Sequence, residues 1–186
     1  MKTIGILALQ GDFAKHAEAI RAAGASALEV REAAGLANID GLILPGGEST
    51  TIGKLLARYG MVEPIKQFAA AGKPVFGTCA GAILLAKHIE KYDQLCLGLL
   101  DIDVARNAYG RQTESFEADI PAPSLGDPLR GVFIRAPVIT RTGTGVEVLA
   151  EYNGRAVFVR QGSIIAATFH PELTDDPRVH RFFLSL

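Results

Sequence analysis

The chain has 186 residues, 48% of them hydrophobic, and a formal net charge of −1 at pH 7. That length suffices for one domain, residues 1–186, with a sizeable core. The near-neutral balance excludes the electrostatic footprint of a nucleic-acid or membrane-surface binder, and no stretch approaches the ~20 apolar residues of a membrane span. Two cysteines, Cys79 and Cys96, point to a reducing, cytoplasmic setting rather than a disulfide scaffold. A bridge between them is compatible with the count, but it would consume the best nucleophile. The four histidines are scattered without a recurrent metal spacing, so no metal is expected.

Thr3 to Leu9 is almost continuously apolar, as a strand buried on both faces should be. It has no basic region before it and is not expected to be a signal peptide. Gln10-Gly11-Asp12 makes a turn, and Asp12 is placed to cap a helix over 13–23. Phe13, Ala17, Ile20 and Ala23 form its buried stripe. His16 lies beside that stripe and reads as a helix-surface or satisfied polar residue. Gly24 ends the helix. Residues 27–30 and 41–44 are the next strands, joined through 36–39. This order opens a parallel sheet with right-handed crossovers.

Pro45-Gly46-Gly47-Glu48-Ser49-Thr50-Thr51 follows the third strand, where glycine permits close backbone approach to a ligand and exposed amides suit an anion. Thr51-Ile52-Gly53-Lys54 only superficially resembles a phosphate loop, because the required residue order is absent. Ser49 or Thr50 is expected to cap a helix through Ile52, Leu55, Leu56 and Tyr59. Gly60 breaks it, and residues 62–70 form another helical segment.

Lys73-Pro74 then leads to a short strand, Val75-Phe76, and to Gly77-Thr78-Cys79-Ala80-Gly81. The apolar helix after it is predicted to run to about His88, whose imidazolium would suit a helix C-terminus. Cys79 thus sits in a sharp strand-to-helix turn flanked by small residues, a geometry that lifts a nucleophile above a sheet. Helix amides there favour a thiolate or an oxyanion. A buried, inert cysteine fits the same local pattern. Residues 90–94 are polar and exposed, and strand character resumes over 97–104.

Arg106-Asn107-Ala108-Tyr109-Gly110-Arg111-Gln112 is an unusually polar connector, and on pattern alone a solvated loop is its simplest reading. Residues 115–120 alternate, turns follow at 121–124 and 126–128, and 131–137 is a short strand interrupted by Arg135, which needs a carboxylate or a ligand. Residues 138–142, 146–152 and 156–161 are further strands, the last two joined by an Asn153-Gly154 hairpin turn. This half is expected to be mixed or antiparallel. The last apolar strand ends at His170-Pro171-Glu172, and a final helix carries Val179, Phe182, Phe183 and Leu186. His180, within it, reads as structural.

Cysteine chemistry needs a thiolate, a base, and a group fixing the base's tautomer. Cys79, His170 and Glu172 supply those types, each at a strand end, and parallel strand ends converge on one crevice. The Gly46-Gly47 amides, with that of Ala80, lie where an oxyanion would need donors. Gly77-Thr78-Cys79-Ala80-Gly81 with His170-Pro171-Glu172 resembles the class I (triad) glutamine amidotransferase domain. Leu9-Gln10-Gly11-Asp12, Leu44 to Thr50, Arg106 to Gln112 and Phe169 to Glu172 are, more closely, similar to the glutaminase subunits of pyridoxal 5'-phosphate synthase, over nearly the whole chain.

That resemblance implies a three-layer, flavodoxin-like α/β fold with a mostly parallel sheet and additional antiparallel strands. It implies glutamine hydrolysis by Cys79, His170 and Glu172, with Gly47, Glu48, Ser49, Arg106, Ile134 and Arg135 contacting substrate and Gln10 near the partner interface. The implied partner is a barrel-shaped synthase subunit in a hetero-oligomer. Pyridoxal phosphate is then a pathway product, and no cofactor is expected on this chain. Two other classes fit parts of the pattern: a flavodoxin-like anion-binding protein with an inert Cys79, and a cysteine peptidase or related hydrolase lacking the glutamine pocket.

Overall fold

The computed structural model describes residues 1–106, 115–126 and 128–186. Its first half contains β1 (Thr3–Leu7), α1 (Phe13–Ala22), β2 (Ser26–Val30), β3 (Gly41–Leu44), α2 (Ser49–Arg58), α3 (Val62–Ala70), β4 (Val75–Thr78) and α4 (Ala80–Leu85). After α4 come β5 (Ala86–Glu90), β6 (Leu100–Ala105), β7 (Ser115–Ile120), β8 (Leu129–Ile134), β9 (Val138–Thr142), β10 (Glu147–Tyr152), β11 (Arg155–Gln161), β12 (Ile164–Ala167) and α5 (Arg178–Leu184). A two-turn 3₁₀ helix covers Ala33–Asn38, and single 3₁₀ turns cover Pro123–Leu125 and Pro171–Leu173.

Seven strands form the central sheet in the order β10-β11-β12-β4-β3-β1-β2. The pairs from β12 to β2 are parallel, and β10-β11 and β11-β12 are antiparallel. The fold is thus α/β, mostly parallel, with antiparallel additions. Alternation along each strand sends side chains into two cores. Leu42 and Leu44 join Ile52, Leu56 and Leu84 on one face. Ile43, Phe76 and Ile165 join Ile20, Phe133 and Phe183 on the other. The run expected to be buried on both faces, residues 3–9, is likewise divided, Leu7 facing the first core and Ile4 and Ile6 the second, the pattern a covered parallel sheet imposes.

Chain order supplies a switch point. From β1 the chain crosses to β2 on one side, then returns to β3 on the other. Loops leaving the carboxyl ends of β1 and β3 diverge and open a crevice, the usual ligand position in such sheets.

Some expected local features differ. The helix after Cys79 stops at Leu85, so His88 is an exposed residue of β5 rather than a helix end. The carbonyls of Leu84, Leu85 and Ala86 accept the N–H groups of Leu97, Leu99 and Gly98, which ends the helix by satisfying its last acceptors from outside. Asp12 makes no side-chain cap to α1. Glu48, not Ser49 or Thr50, occupies the N-cap position of α2, also without a side-chain cap. Asn153 and Gly154, with φ of 51° and 70°, make the hairpin turn expected between β10 and β11. Positions 107–112 of the polar connector, and Asp127 of the later turn, lie outside the described residues.

Candidate active site

The elbow is built by steric necessity. Cys79 has φ of 47° and is the N-cap of α4. Its N–H still continues the sheet ladder to the Ala167 carbonyl at 2.9 Å, while its own carbonyl accepts from Ile83 at 3.2 Å and starts the helix. For the helix to fold back this sharply, the flanking positions must lack Cβ. A Cβ on Gly77 would stand 2.6 Å from the Gly81 carbonyl, and one on Gly81 would stand 1.9 Å from the Leu44 oxygen. The positive φ of a non-glycine residue costs of order 1–3 kcal/mol, held by the packing around it.

β12 lies beside β4, with Ala167 opposite Thr78. Three residues beyond Ala167 the chain reaches His170, whose N–H is anchored to the Val132 carbonyl at 2.8 Å. Its ring packs against Gly46, where a Cβ would stand 2.5 Å from Cε1 and 3.5 Å from the Cys79 Cβ. His170 Nδ1 meets Glu172 Oε1 at 2.7 Å, and both side chains are buried. Burial opposes the His170 cation, but hydrogen bonds and charge from Cys79 and Glu172 outweigh it and raise the imidazole to about 10. Burial likewise works against ionised Glu172, yet His16 and His170 hold its carboxyl below the usual range. Cys79 and Cys96 are both free, so the disulfide left open by the sequence is not formed.

The crevice is lined from the other loops. Gly11 lies so close to Gly46 that a Cβ would reach its oxygen at 1.9 Å, and Asp12 N–H donates to that same oxygen at 3.1 Å. Gln10 Oε1 accepts the Glu48 N–H at 2.8 Å. Arg106 donates to Gln94 Oε1 at 2.6 Å and to Glu48 Oε1 at 3.0 Å, and stacks over the Tyr92 ring at 4.7 Å. Gln94 Nε2 donates to the buried Ser49 hydroxyl at 3.2 Å. From the far side, the Ile134 carbonyl accepts the Cys79 thiol at 3.8 Å. Arg135 follows with φ of 43°, exposed and without a carboxylate partner among the described residues.

A cavity of about 280 Å³ results, and ten of the expected residues meet there: Gln10, Gly47, Glu48, Ser49, Cys79, Ala80, Arg106, Ile134, Arg135 and His170 all line it. Glu172 stands behind His170 rather than in the cavity wall. A larger concavity of about 960 Å³ borders β5, β6 and β9 and shares only Arg106 with it, so it lies away from the reactive groups. Asp12, His170 and Glu172 offer donor atoms within 4.8 Å of one another. Two of these already bond each other, so the cluster is a hydrogen-bonded pair with an exposed acid beside it.

Sequence reasoning missed four neighbours. Gln94 ties Arg106 to Ser49. Thr78, His16 and His180 form a buried chain behind Glu172. His16 is indeed a satisfied polar residue, but on the buried face of α1 rather than its surface.

The architecture is a class I glutamine amidotransferase fold. A crystal structure of a glutamine amidotransferase superposes with a TM-score of 0.94 at 53% identity, covering 98% of this chain and 97% of that one. Residues 6–186 match the SNO glutamine amidotransferase family, and the chain belongs to it. It is 57% identical to the pyridoxal 5'-phosphate synthase subunit PdxT of Geobacillus kaustophilus, covering 98% of this chain and 93% of that protein. Identity to the same subunit of Desulforudis audaxviator is 56%, over 99% of this chain and 98% of the relative.

Proposed function

We propose that residues 1–186 form one glutaminase domain that hydrolyses L-glutamine to L-glutamate and ammonia, and passes the ammonia to a partner synthase subunit making pyridoxal 5'-phosphate. The observation that carries this reading is the alignment of Cys79 with a buried His170–Glu172 pair bonded at 2.7 Å. The partner rests on the subunit names of the relatives above.

His170 takes the Cys79 proton, and the sulfur attacks the side-chain amide carbon of glutamine. The amides of Gly47 and Ala80 receive the oxyanion. His170 returns its proton to the departing ammonia, while Glu172 keeps the imidazole in the tautomer with Nε2 toward sulfur. Water, activated by the same imidazole, then hydrolyses the glutamyl thioester. Glu48, Ser49, Arg106, Ile134 and Arg135 hold the amino-acid end of the substrate, and Arg135, which has no internal carboxylate among the described residues, is suited to a substrate carboxylate. Gln10 sits where a docking partner would set the Gly47–Glu48 backbone.

No step needs a cofactor or metal. Among the described residues no helix is long and apolar enough to cross a membrane; we read the protein as cytoplasmic from its free thiols and its proposed pathway.

The deciding experiment measures glutamate and ammonia from free glutamine, with and without the matching synthase, for wild type and Cys79→Ala. Alanine fits the small site and removes only sulfur. The expected result is complete loss in a variant with an unchanged far-UV spectrum. Substantial turnover by folded C79A would overturn the nucleophile. Absence of ammonia release by wild type with its partner would favour an anion-binding protein or another cysteine hydrolase.

A further inference from the structure

The Glu172 carboxylate uses one oxygen for His170. The other, Oε2, is buried and makes no hydrogen bond of ordinary geometry among the described residues, with His16 Nε2 standing 3.4 Å away. The same His16 nitrogen lies 2.9 Å from Thr78 Oγ1, on the residue before the nucleophile. On its other side, His16 Nδ1 meets His180 Nε2 at 3.2 Å, and His180 Nδ1 has no hydrogen-bond partner among the described residues. His16, Thr78 and His180 are all fully buried.

Only one proton arrangement suits this chain of atoms. If His16 carried its proton on Nδ1, its bare Nε2 would face the bare carboxylate oxygen. His180 would then accept through Nε2 and leave its Nδ1–H as a buried donor with no acceptor, a cost of ~1–3 kcal/mol. If His16 carries it on Nε2, that N–H points at Thr78 Oγ1 and Glu172 Oε2 together. His180 Nε2–H then donates to His16 Nδ1, and His180 Nδ1 is left an unpaired acceptor at a similar cost, so the two arrangements are separated by the contact of His16 Nε2 with the carboxylate oxygen.

We infer that His16, backed by His180, is a positioning residue for glutamine hydrolysis: through its Nε2–H it orients the Glu172 carboxylate that orients His170. This rests on the reaction proposed above. The groups facing His16 are Glu172 and His170 from the turn after β12, Asp12 from the start of α1, His180 from α5 and Thr78 from β4. Burial dominates among their effects and pushes His16 below the usual histidine range, with Glu172 and Asp12 opposing and His170 assisting. Burial, with His16 beside it, also pushes His180 down to about 3. Both rings are neutral at the pH of the reaction, so His16 acts as a directed N–H dipole. Its bond to Thr78 ties that dipole to the strand bearing Cys79, so orienter and nucleophile share one reference point.

Two measurements test this. In wild-type protein labelled with ¹⁵N-histidine, long-range ¹H–¹⁵N correlations are expected to show His16 and His180 neutral and protonated on Nε2 between about pH 5 and 8, the range in which free imidazoles change state. A Nδ1–H or cationic His16 overturns the inference. The second compares His16→Gln, whose amide N–H replaces the Nε2–H, with His16→Leu, both assayed with the synthase present. H16L is expected to lose about 10- to 100-fold in kcat, the range known for outer-shell partners that orient metal-ligating histidines, with KM unchanged and Cys79 alkylation at neutral pH slowed. H16Q restores most of both. A folded H16L that is less heat-stable but keeps the wild-type kcat and alkylation rate would assign His16 to packing alone. Should H16L not fold, the tautomer measurement decides. Turnover by C79A would refute the reaction while leaving the histidine tautomers unaffected, so the two failures are distinguishable.

Discussion

Gln10 and Glu48 are joined across the crevice: the Gln10 side-chain carbonyl accepts the Glu48 backbone N–H at 2.8 Å, over Gly47. A Cβ on Gly47 would stand 2.6 Å from that same Gln10 oxygen. The bond therefore holds the Gly47–Glu48 peptide, directly after the Gly47 N–H that is proposed to receive the oxyanion. Gln10→Ala is expected to keep the fold but to weaken synthase-dependent ammonia release by about tenfold, below the loss from removing an oxyanion donor outright. Titrating synthase against wild type and Q10A, with calorimetric association and ammonia both recorded, checks this. Full activity of isolated wild type, flat across the titration, would sink the docking role.

His170→Asn removes the proposed acid and base together. Such roles are typically worth ~10²–10⁴-fold, and a loss of that size in kcat is expected. Cys79 alkylation at neutral pH is expected to be slower in H170N than in wild type, because the imidazole proposed to take the thiol proton is gone. Equal rates for wild type and H170N would argue against the pairing. Glu172→Gln should lose less, because the amide still occupies the site.

Gln94 makes a different kind of contribution. It accepts from Arg106 at 2.6 Å and donates to Ser49 at 3.2 Å, so it holds two proposed substrate contacts in one frame. Gln94→Ala is expected to raise KM for glutamine about 5- to 20-fold while kcat falls less, the signature of lost uniform binding. Steady-state kinetics with saturating synthase distinguish this from a general loss. An unchanged KM would leave Gln94 with a surface role.

How much of this was legible before folding depends on distance along the chain. The elbow was, because its determinants are local: Gly77 and Gly81 bracket Cys79, and their missing Cβ atoms are what let helix meet strand. The convergence of Gln10, Gly47, Cys79 and His170 was legible as well, since each closes a strand and parallel strands end together. The His16–His180 contact was not. It joins residues 164 positions apart, and an apolar stripe on α1 does not say which imidazole a later helix will bring to it. Nor was the end of α4, which is imposed by the carbonyl acceptors that residues 97–99 satisfy, not by any residue within the helix.

The buried histidines also predict a pH dependence of stability. His180 is held near 3 when folded, against about 6.5 for a free imidazole. The unfolded chain therefore binds a proton that the native state refuses. Its contribution is intact above 6.5 and is lost as pH falls toward 3, at up to about 1.4 kcal/mol per unit. His16 works in the same direction. His170, raised to about 10, works in the opposite one: its contribution is complete below 6.5 and lost as pH rises through 10. Urea midpoints measured from pH 4 to 10 should fall on both sides of neutrality. In His180→Phe, the acid limb should be shallower. An acid limb equally steep in H180F would remove His180 from the account.

Thr78 and Ala167 sit opposite one another in neighbouring strands near the middle of the seven-stranded sheet, and Cys79 and His170 follow from them within three residues. The spacing of Cys79 and His170 thus belongs to neither loop. Fraying at the β2 or β10 edge leaves it untouched, and only rupture between β4 and β12 changes it, which dismantles both cores at once. Residual glutaminase activity in denaturant, measured with the synthase present, is therefore expected to follow the centre of the sheet and not its edges.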